Sequence, residues 1–432
     1  MKKVKNSRRK VNYQNQFIYT SPDALDSHFN NGSINDPDNT LRNNYWSKPD
    51  GNAIRQLHRV QSLNYGFSIN HIDLNQYGQL GRFDSAVIDT PDISLEMEYL
   101  LSDGYNERAL DFIIDGQSPA LSKYIVNDFP YGKNFFIGVG PDGYDLIGKN
   151  LHEQESEMSV VGIGNCFLNQ YAVSAEVGSL PKARAVYEGF NIRSYKGVSN
   201  LPLPSIIPTE SCYDPNMYFS LPDTYDSFTY PQASQNIINE IEFQKSSRGV
   251  LPGGIKVSID DGGLLAQQTS SDFILGKGAA HIQGFSFNIP FSTTRINRLG
   301  SNFEFARVYN FPSSIEITFT ALVSEFKNSN LFKYLCSDRT HNLVISMHDF
   351  CSVSANRQCL SQEDAHVSFY FKNALLDSES LSQSIGDAGR TVDVSFSLPI
   401  SDPTLSQHEG FYMFGKSFFP DRPKILAWGH PL

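Results

Sequence analysis

Residues Val60–Asp103 read VQSLNYGFSINHIDLNQYGQLGRFDSAVIDTPDISLEMEYLLSD, and 222 positions later Ile282–Glu325 read IQGFSFNIPFSTTRINRLGSNFEFARVYNFPSSIEITFTALVSE. Gln61 falls on Gln283, Asn75 on Asn297, Gly78 on Gly300, Phe83 on Phe305, Ile93 on Ile315, Leu100 on Leu322 and Ser102 on Ser324. The apolar pattern is copied more closely than the letters. Leu63, Tyr65, Phe67 and Ile69 map onto Phe285, Phe287, Ile289 and Phe291; Ile93, Leu95 and Met97 map onto Ile315, Ile317 and Phe319. Alternation with period two predicts strands with one buried face, because successive side chains leave opposite sides of a pleat.

A second register follows at an offset of 208. It sets Asn134-Phe-Phe-Ile on Asn342-Leu-Val-Ile, Val177-Gly178 on Ile385-Gly386, Val186 on Val394 and Ile192 on Ile400. The 14-residue difference is accounted for if the second copy lacks most of Asp115–Asn127, DGQSPALSKYIVN. Two tandem copies of one β-rich module are therefore expected.

Working outward, 432 residues leave room for two cores of ordinary size. Charged residues make up only 19%, against 31 Phe and 21 Tyr, which favours strands over helical bundles or disorder. A formal charge of −11 excludes a general nucleic-acid binder, which needs a basic surface to displace counterions. Cys166, Cys212, Cys336, Cys351 and Cys359 form no CxxC pair and leave one odd, the usage of a reducing compartment. MKKVKNSRRK is followed by polar VNYQNQ, not by the apolar core of a signal peptide. No run approaches the roughly 18 apolar residues of a membrane span.

Residues 1–55 read as an arm with a basic tip (Lys2, Lys3, Lys5, Arg8, Arg9, Lys10), an Asn-rich stretch, and Tyr45-Trp46 as its docking anchor. A first module is expected over 56–195, with strands near 60–70, 84–88, 93–101, 134–139, 158–175 and 182–194. Its helix candidate is Asn106–Gly116, with Ser118–Tyr124 after it. Residues 196–280, rich in Pro, Ser and Gly, read as a connector with a strand near Gly254–Ile259. A second module is expected over 281–402. Residues 403–432 form an extension whose Phe411, Tyr412, Phe418, Phe419 and Trp428 should pack on this subunit or the next.

Little in the chain points to chemistry. GVGPDG (Gly138–Gly143) matches GxGxxG, but Pro141-Asp142-Gly143 makes a turn where a dinucleotide site needs a helix. His341, His348, Cys351, Cys359 and His366 raise zinc, yet their spacing is irregular and the first module lacks them all. Asp260-Asp261 and Asp142/Asp145 complete no calcium loop. Glu96 and Glu98 share one strand face, whereas glycosidase carboxylates come from different elements. No catalytic, cofactor-binding or metal residue is assigned, and no enzyme is expected.

Three segments resemble tail tube proteins of long-tailed bacteriophages: Ile69–Glu107, Val160–Ile192 (VVGIGNCFLNQYAVSAEVGSLPKARAVYEGFNI) and His281–Val323. The resemblance covers both modules and departs from the common single-module form by being doubled. It implies a mainly β fold of two tandem sandwich or barrel modules, each with one helix. Three chains would then supply six equivalent modules, closing into a β-barrel ring. Rings would stack into a tube carrying DNA without specific binding, beside terminator, tape-measure and distal hub proteins. Such a protein is assembled in the host cytoplasm, resides in the virion and meets no membrane. Candidate channel-lining residues are Asn64, Ser68, Asn70, Glu96, Glu98, Ser286, Asn288, Ser292, Glu316, Thr318 and Thr320, and the basic tip is expected to dock on the adjacent ring. Alternatives are a distal hub or terminator ring and, from another class, a receptor- or carbohydrate-binding β-sandwich.

Overall fold

Alternation at period two becomes antiparallel strands almost wherever it occurs. The computed structural model describes residues 16–22, 55–87, 90–125, 132–140, 159–196, 200–202, 218–220, 250, 254–261, 280–297, 299, 306–323, 340–348, 365–382, 390–400 and 410–416. Strands β1 (Gln16–Pro22) and β2 (Arg55–Gln56) precede β3 (Val60–Ser68), the hairpin β4 (His71–Leu74) and β5 (Asp84–Val87), and β6 (Asp92–Leu100). Helix α1 (Tyr105–Ala109), β7 (Asp115–Pro119) and the short α2 (Ser122–Ile125) follow. Then come β8 (Lys133–Val139), β9 (Ser159–Glu176), β10 (Lys182–Gly189) and β11 (Asn191–Lys196). A small pair, β12 (Asn200–Pro202) and β13 (Tyr218–Ser220), leads to β14 (Ile255–Asp261) and β15 (Ala280–Pro290). The hairpin β16 (Thr293–Ile296) and β17 (Ala306–Tyr309) comes next, then β18 (Ser314–Val323), β19 (Thr340–His348), β20 (Ala365–Ser382), β21 (Arg390–Pro399) and β22 (Gly410–Gly415).

The ladders run in two sets of the same order. In the first, β3 pairs β6, β6 pairs β10 and β10 pairs β9; the start of β9 pairs β8 and β11, and β8 pairs β1. In the second, β15 pairs β18, β18 pairs β21 and β21 pairs β20; the start of β20 pairs β19 and β22, and β19 pairs β14. Irregularities recur at the same points: Val60/Ser62 and Ile282/Gly284, Lys133/Phe135 and His341/Leu343, and Val186/Tyr187 and the step between Leu376 and Ser378. A bulge bends its strand and re-aims the side chains beyond it. Here the bends let the long β9 and β20, 18 residues each, run through both layers of their set.

Each set folds face to face. Leu95, Met97, Phe135, Ile137, Ile163 and Tyr187 are buried together, with the Phe135 and Tyr187 ring centroids 4.7 Å apart; Ile317, Phe319, Leu343, Ile345, Phe369 and Phe396 are buried likewise, with His341 of β19 5.7 Å from Phe396 of β21. The two cores are continuous. Phe287 lies with its ring centroid 6.2 Å from Tyr171 of the first set and 4.9 and 5.1 Å from Phe369 and Phe371 of the second. Strand β22 also crosses over, pairing both β20 and β7. That crossing brings backbones so close that a Cβ on Gly104, already at φ +82°, would stand 2.9 Å from the Gly415 Cα.

Several expectations are corrected. The helix candidate Asn106–Gly116 yields only Tyr105–Ala109, because Asp111 turns to φ 73° and Asp115–Pro119 becomes a strand. Within 1–55, Gln16–Pro22 is no arm: Phe17, Ile18 and Tyr19 are buried and the strand edges the first set. The strand expected near Gly254–Ile259 forms as β14, and it pairs β19 in the second set's ladder. Val186 does not correspond to Val394. Pairing places Ala185 opposite Met97 and Val394 opposite Phe319, so β10 maps onto β21 at 209, not 208. A one-residue slip swaps faces, and Val186 indeed faces outward while Val394 is buried. Ile192, opposite Ile163, likewise corresponds to Phe411 opposite Phe371, not to Ile400. No closed barrel forms among the described residues: the sheet path ends at β3 on one side and β14 on the other. Tyr45-Trp46, the basic tip, the 385–386 turn and Phe418, Phe419 and Trp428 lie outside the described residues.

Candidate assembly interface

One additional ladder joins the two sets. The second half of β9 pairs β15 antiparallel, from Gly284 opposite Glu176 to Pro290 opposite Gln170. The result is a continuous strip, β20-β21-β18-β15-β9-β10-β6-β3. Its apolar face is buried from β21 to β6 and exposed at Tyr65 and Phe67 of β3. Its other face is polar, and ladder partners place Asn64, Ser68, Glu96, Glu98, Ser286, Asn288, Glu316, Thr318 and Thr320 together on it. Asn70 and Ser292 follow β3 and β15 in exposed loops. The two sets satisfy the carboxylates on this face differently. Arg184 pairs Glu96 at 2.6 Å and Lys182 pairs Glu98 at 2.7 Å, whereas in the second set Thr320 Oγ1 donates to Asp393 at 2.7 Å. The hydrogen bond from Arg184 holds the Glu96 carboxyl below its usual range.

The joint is clasped by the β16–β17 hairpin. Arg307, fully buried, donates from Nη1 to Glu188 Oε2 at 3.0 Å and lies over the rings of Phe167 and Phe190, 5.7 and 5.0 Å from their centroids. Arg295 pairs Asp92, and its Nη2 lies 3.7 Å from the same Glu188 carboxylate. The Leu168 amide donates to Tyr309 Oη at 3.1 Å, and Tyr309 packs on Phe167 and Phe291. A buried guanidinium is tolerable because it is both paired and stacked.

The counterpart of this joint is open. Phe287 and Ile289 are 2% and 0% exposed, while Tyr65 and Phe67 on β3 are 46% and 61% exposed. Ile69, Ile72, Leu74, Tyr77, Leu80, Phe83 and Val87 continue the apolar surface along β4–β5. Among the described residues β3 has a ladder partner on one side only, and the last part of β20 pairs only β21. Unpaired edges with apolar flanks are templates for another strand. Sequence periodicity found the alternating faces but missed Arg295, Arg307 and Glu188; charged residues inside an otherwise polar hairpin were the available signal.

Other sequence candidates serve packing. Gly138 lies in β8 opposite Phe17, whose ring would be 1.8 Å from a Cβ there, so this glycine of GVGPDG makes room for a strand partner; Pro141-Asp142-Gly143 and Asp145 are outside the described residues. His341, His348 and His366 are buried on β19 and β20, and His341 packs against Phe396; Cys351 and Cys359 are outside the described residues. Among the described residues no group of three His, Cys, Asp or Glu could hold a metal ion. Asp260 and Asp261 lie in β14, opposite Asn342 and His341. Among the described residues no helix is long and apolar enough to cross a membrane.

No protein-family model matches the chain, and no curated protein matches it. Among solved structures it is similar to a chain of the baseplate of the anti-feeding prophage (AFP), determined by cryo-EM with 6-fold symmetrisation. Identity is 13% and the TM-score 0.24, over 39% of this chain and 97% of that one. A likeness this slight says nothing about function.

Proposed function

We propose that the chain is a duplicated structural subunit of a phage-type tail tube, in which three copies close a ring of six strand sets around a polar channel. The observation that carries this reading is the β9·β15 joint, which, among the described residues, leaves one side of β3 and of the last part of β20 unpaired at the two ends of the strip. A head-to-tail contact of this kind is heterologous, and it closes a ring when the rotation per subunit divides a full turn. Closure would pair the β3 edge of each copy with the β20 edge of the next. The polar strip would then face inward. Its cations Lys182 and Arg184 are each tied to a glutamate, so a phosphate backbone finds few free charges to bind.

On this reading the protein catalyses no reaction, needs no cofactor and works in the virion beside other tail proteins. Genomic DNA passes without sequence recognition. Negative-stain microscopy of the purified protein tests it: rings with threefold symmetry, stacked into tubes, are expected. Single rings that never stack would favour a terminal or hub ring, and monomers at every concentration would overturn the proposal.

A further inference from the structure

The chain carries two hairpins in matching positions, one docked and one undocked, and they differ in charge. The offset of 222 that carries β3–β6 onto β15–β18 puts Asp73 where Arg295 stands and Ser85 where Arg307 stands. The receiving surfaces differ in the opposite sense. Asp92 becomes Ser314, Glu188 becomes Ser397 and Phe167 becomes Leu375. Against that trend Asp377 stands where Asn169 does, so this surface carries one carboxylate of its own, which accepts from Ser397 Oγ at 2.9 Å. Asp73 itself is paired to Arg82 at 2.7 Å.

Resting on the ring reading above, we infer that these charges form a pairing code: the β3 edge and β4–β5 hairpin of one copy seat on the β20–β21 surface of a second copy and would be rejected by a surface charged like β9–β10, which the chain's own β15 and β16–β17 hairpin occupy. On a β9–β10 surface, Asp73 would stand beside Asp92 and Glu188, and Ser85 would leave Glu188 without its guanidinium. Like charges brought together this way reject a wrong partner. On β20–β21 the two carboxylates are replaced by the hydroxyls of Ser314 and Ser397. Apolar counterparts also match. Within the chain Phe291, Tyr309 and Phe167 bury one another; their equivalents Ile69, Val87 and Leu375 are 41%, 42% and 43% exposed and would cover one another across the joint. The hairpin clasp inside the chain is thus ionic and aromatic, and the corresponding clasp between chains would be aliphatic.

The register is fixed by the internal copy. Asn288 opposite Ala172 translates to Gly66 of one chain opposite Ser380 of the next. Directly opposed residues have Cα atoms about 4.5–5.5 Å apart, within disulfide reach. Under mild oxidation Gly66→Cys/Ser380→Cys chains should join covalently into trimers on a non-reducing gel, above the wild-type background. Placing carboxylates on the receiving surface, as Ser314→Asp with Ser397→Glu, should lower the Gly66–Ser380 cross-linked fraction, and adding Asp73→Arg to those chains should restore it. Should the double variant misfold, mixing Gly66→Cys chains with Ser380→Cys chains should still yield dimers. An unchanged cross-linked fraction with Ser314→Asp and Ser397→Glu overturns the code. Rings without the Gly66–Ser380 cross-link overturn the joint while the ring reading survives. Cross-linked ladders that never close uphold the joint and sink the ring.

Discussion

At the residue scale the most consequential group is Glu107, buried on α1 with Tyr171 Oη donating to its Oε1 at 3.2 Å. Burial pushes its carboxyl up to about 7, while burial pulls the neighbouring His58 down to about 4. The signs oppose. Folded Glu107 keeps a proton that the unfolded chain releases near 4.5, so its contribution to stability falls as pH rises from there to 7. Folded His58 lacks a proton that the unfolded chain binds below 6.5, so its contribution falls as pH drops toward 4. Glu107→Gln should therefore stabilise the chain at pH 8, by at most about 3 kcal/mol. It should also leave a slope of opposite sign between pH 4 and 6.5, carried by His58. Urea unfolding across pH measures both. Neither value was legible in the sequence: His58 and Glu107 are 49 residues apart, and Asn106, which hydrogen-bonds the His58 backbone in both directions, gives no sequence signal.

At the element scale the strands were legible and the helix was not, for a physical reason. Ile93, Leu95 and Met97 alternate because one face of β6 is buried, and a period of two survives in the letters. Leu110, Phe112, Ile113 and Ile114 are all buried against different neighbours, so their run imitates a helix without forming one. Strand β1 was hidden by its surroundings. Phe17-Ile18-Tyr19 is a short apolar run in a polar stretch, and only its ladder with β8 reveals a role equivalent to that of β14. The joint partners were illegible too, since nothing in alternation states which edges meet. A truncation starting near Asp50, harmless for a floppy arm, should therefore cost stability. Three buried side chains at roughly 1.5–3 kcal/mol each approach the roughly 5–15 kcal/mol that holds a typical domain. The expected outcome is a much lower denaturation midpoint or insoluble protein, read by thermal unfolding; an unchanged midpoint would show β1 to be dispensable.

At the scale of the whole molecule, the two sets are equal in ladder order yet unequal in what they present. On the proposed ring one chain would insert an edge at β3 and receive one at β20, with the ionic clasp of Arg295, Arg307 and Glu188 spent internally. Inserting and receiving are therefore separable by mutation. Tyr65 takes the position that Phe287 fills in the internal joint, so Tyr65→Asp should block insertion and leave β20 able to receive. Such a chain would be a dominant poison. Mixed with wild type, it would be admitted to growing assemblies and would strand each one it entered, so that intact circles decline as the cube of the sound fraction if three molecules make one. Titrating the poison thus counts the members of the circle, without any image of it.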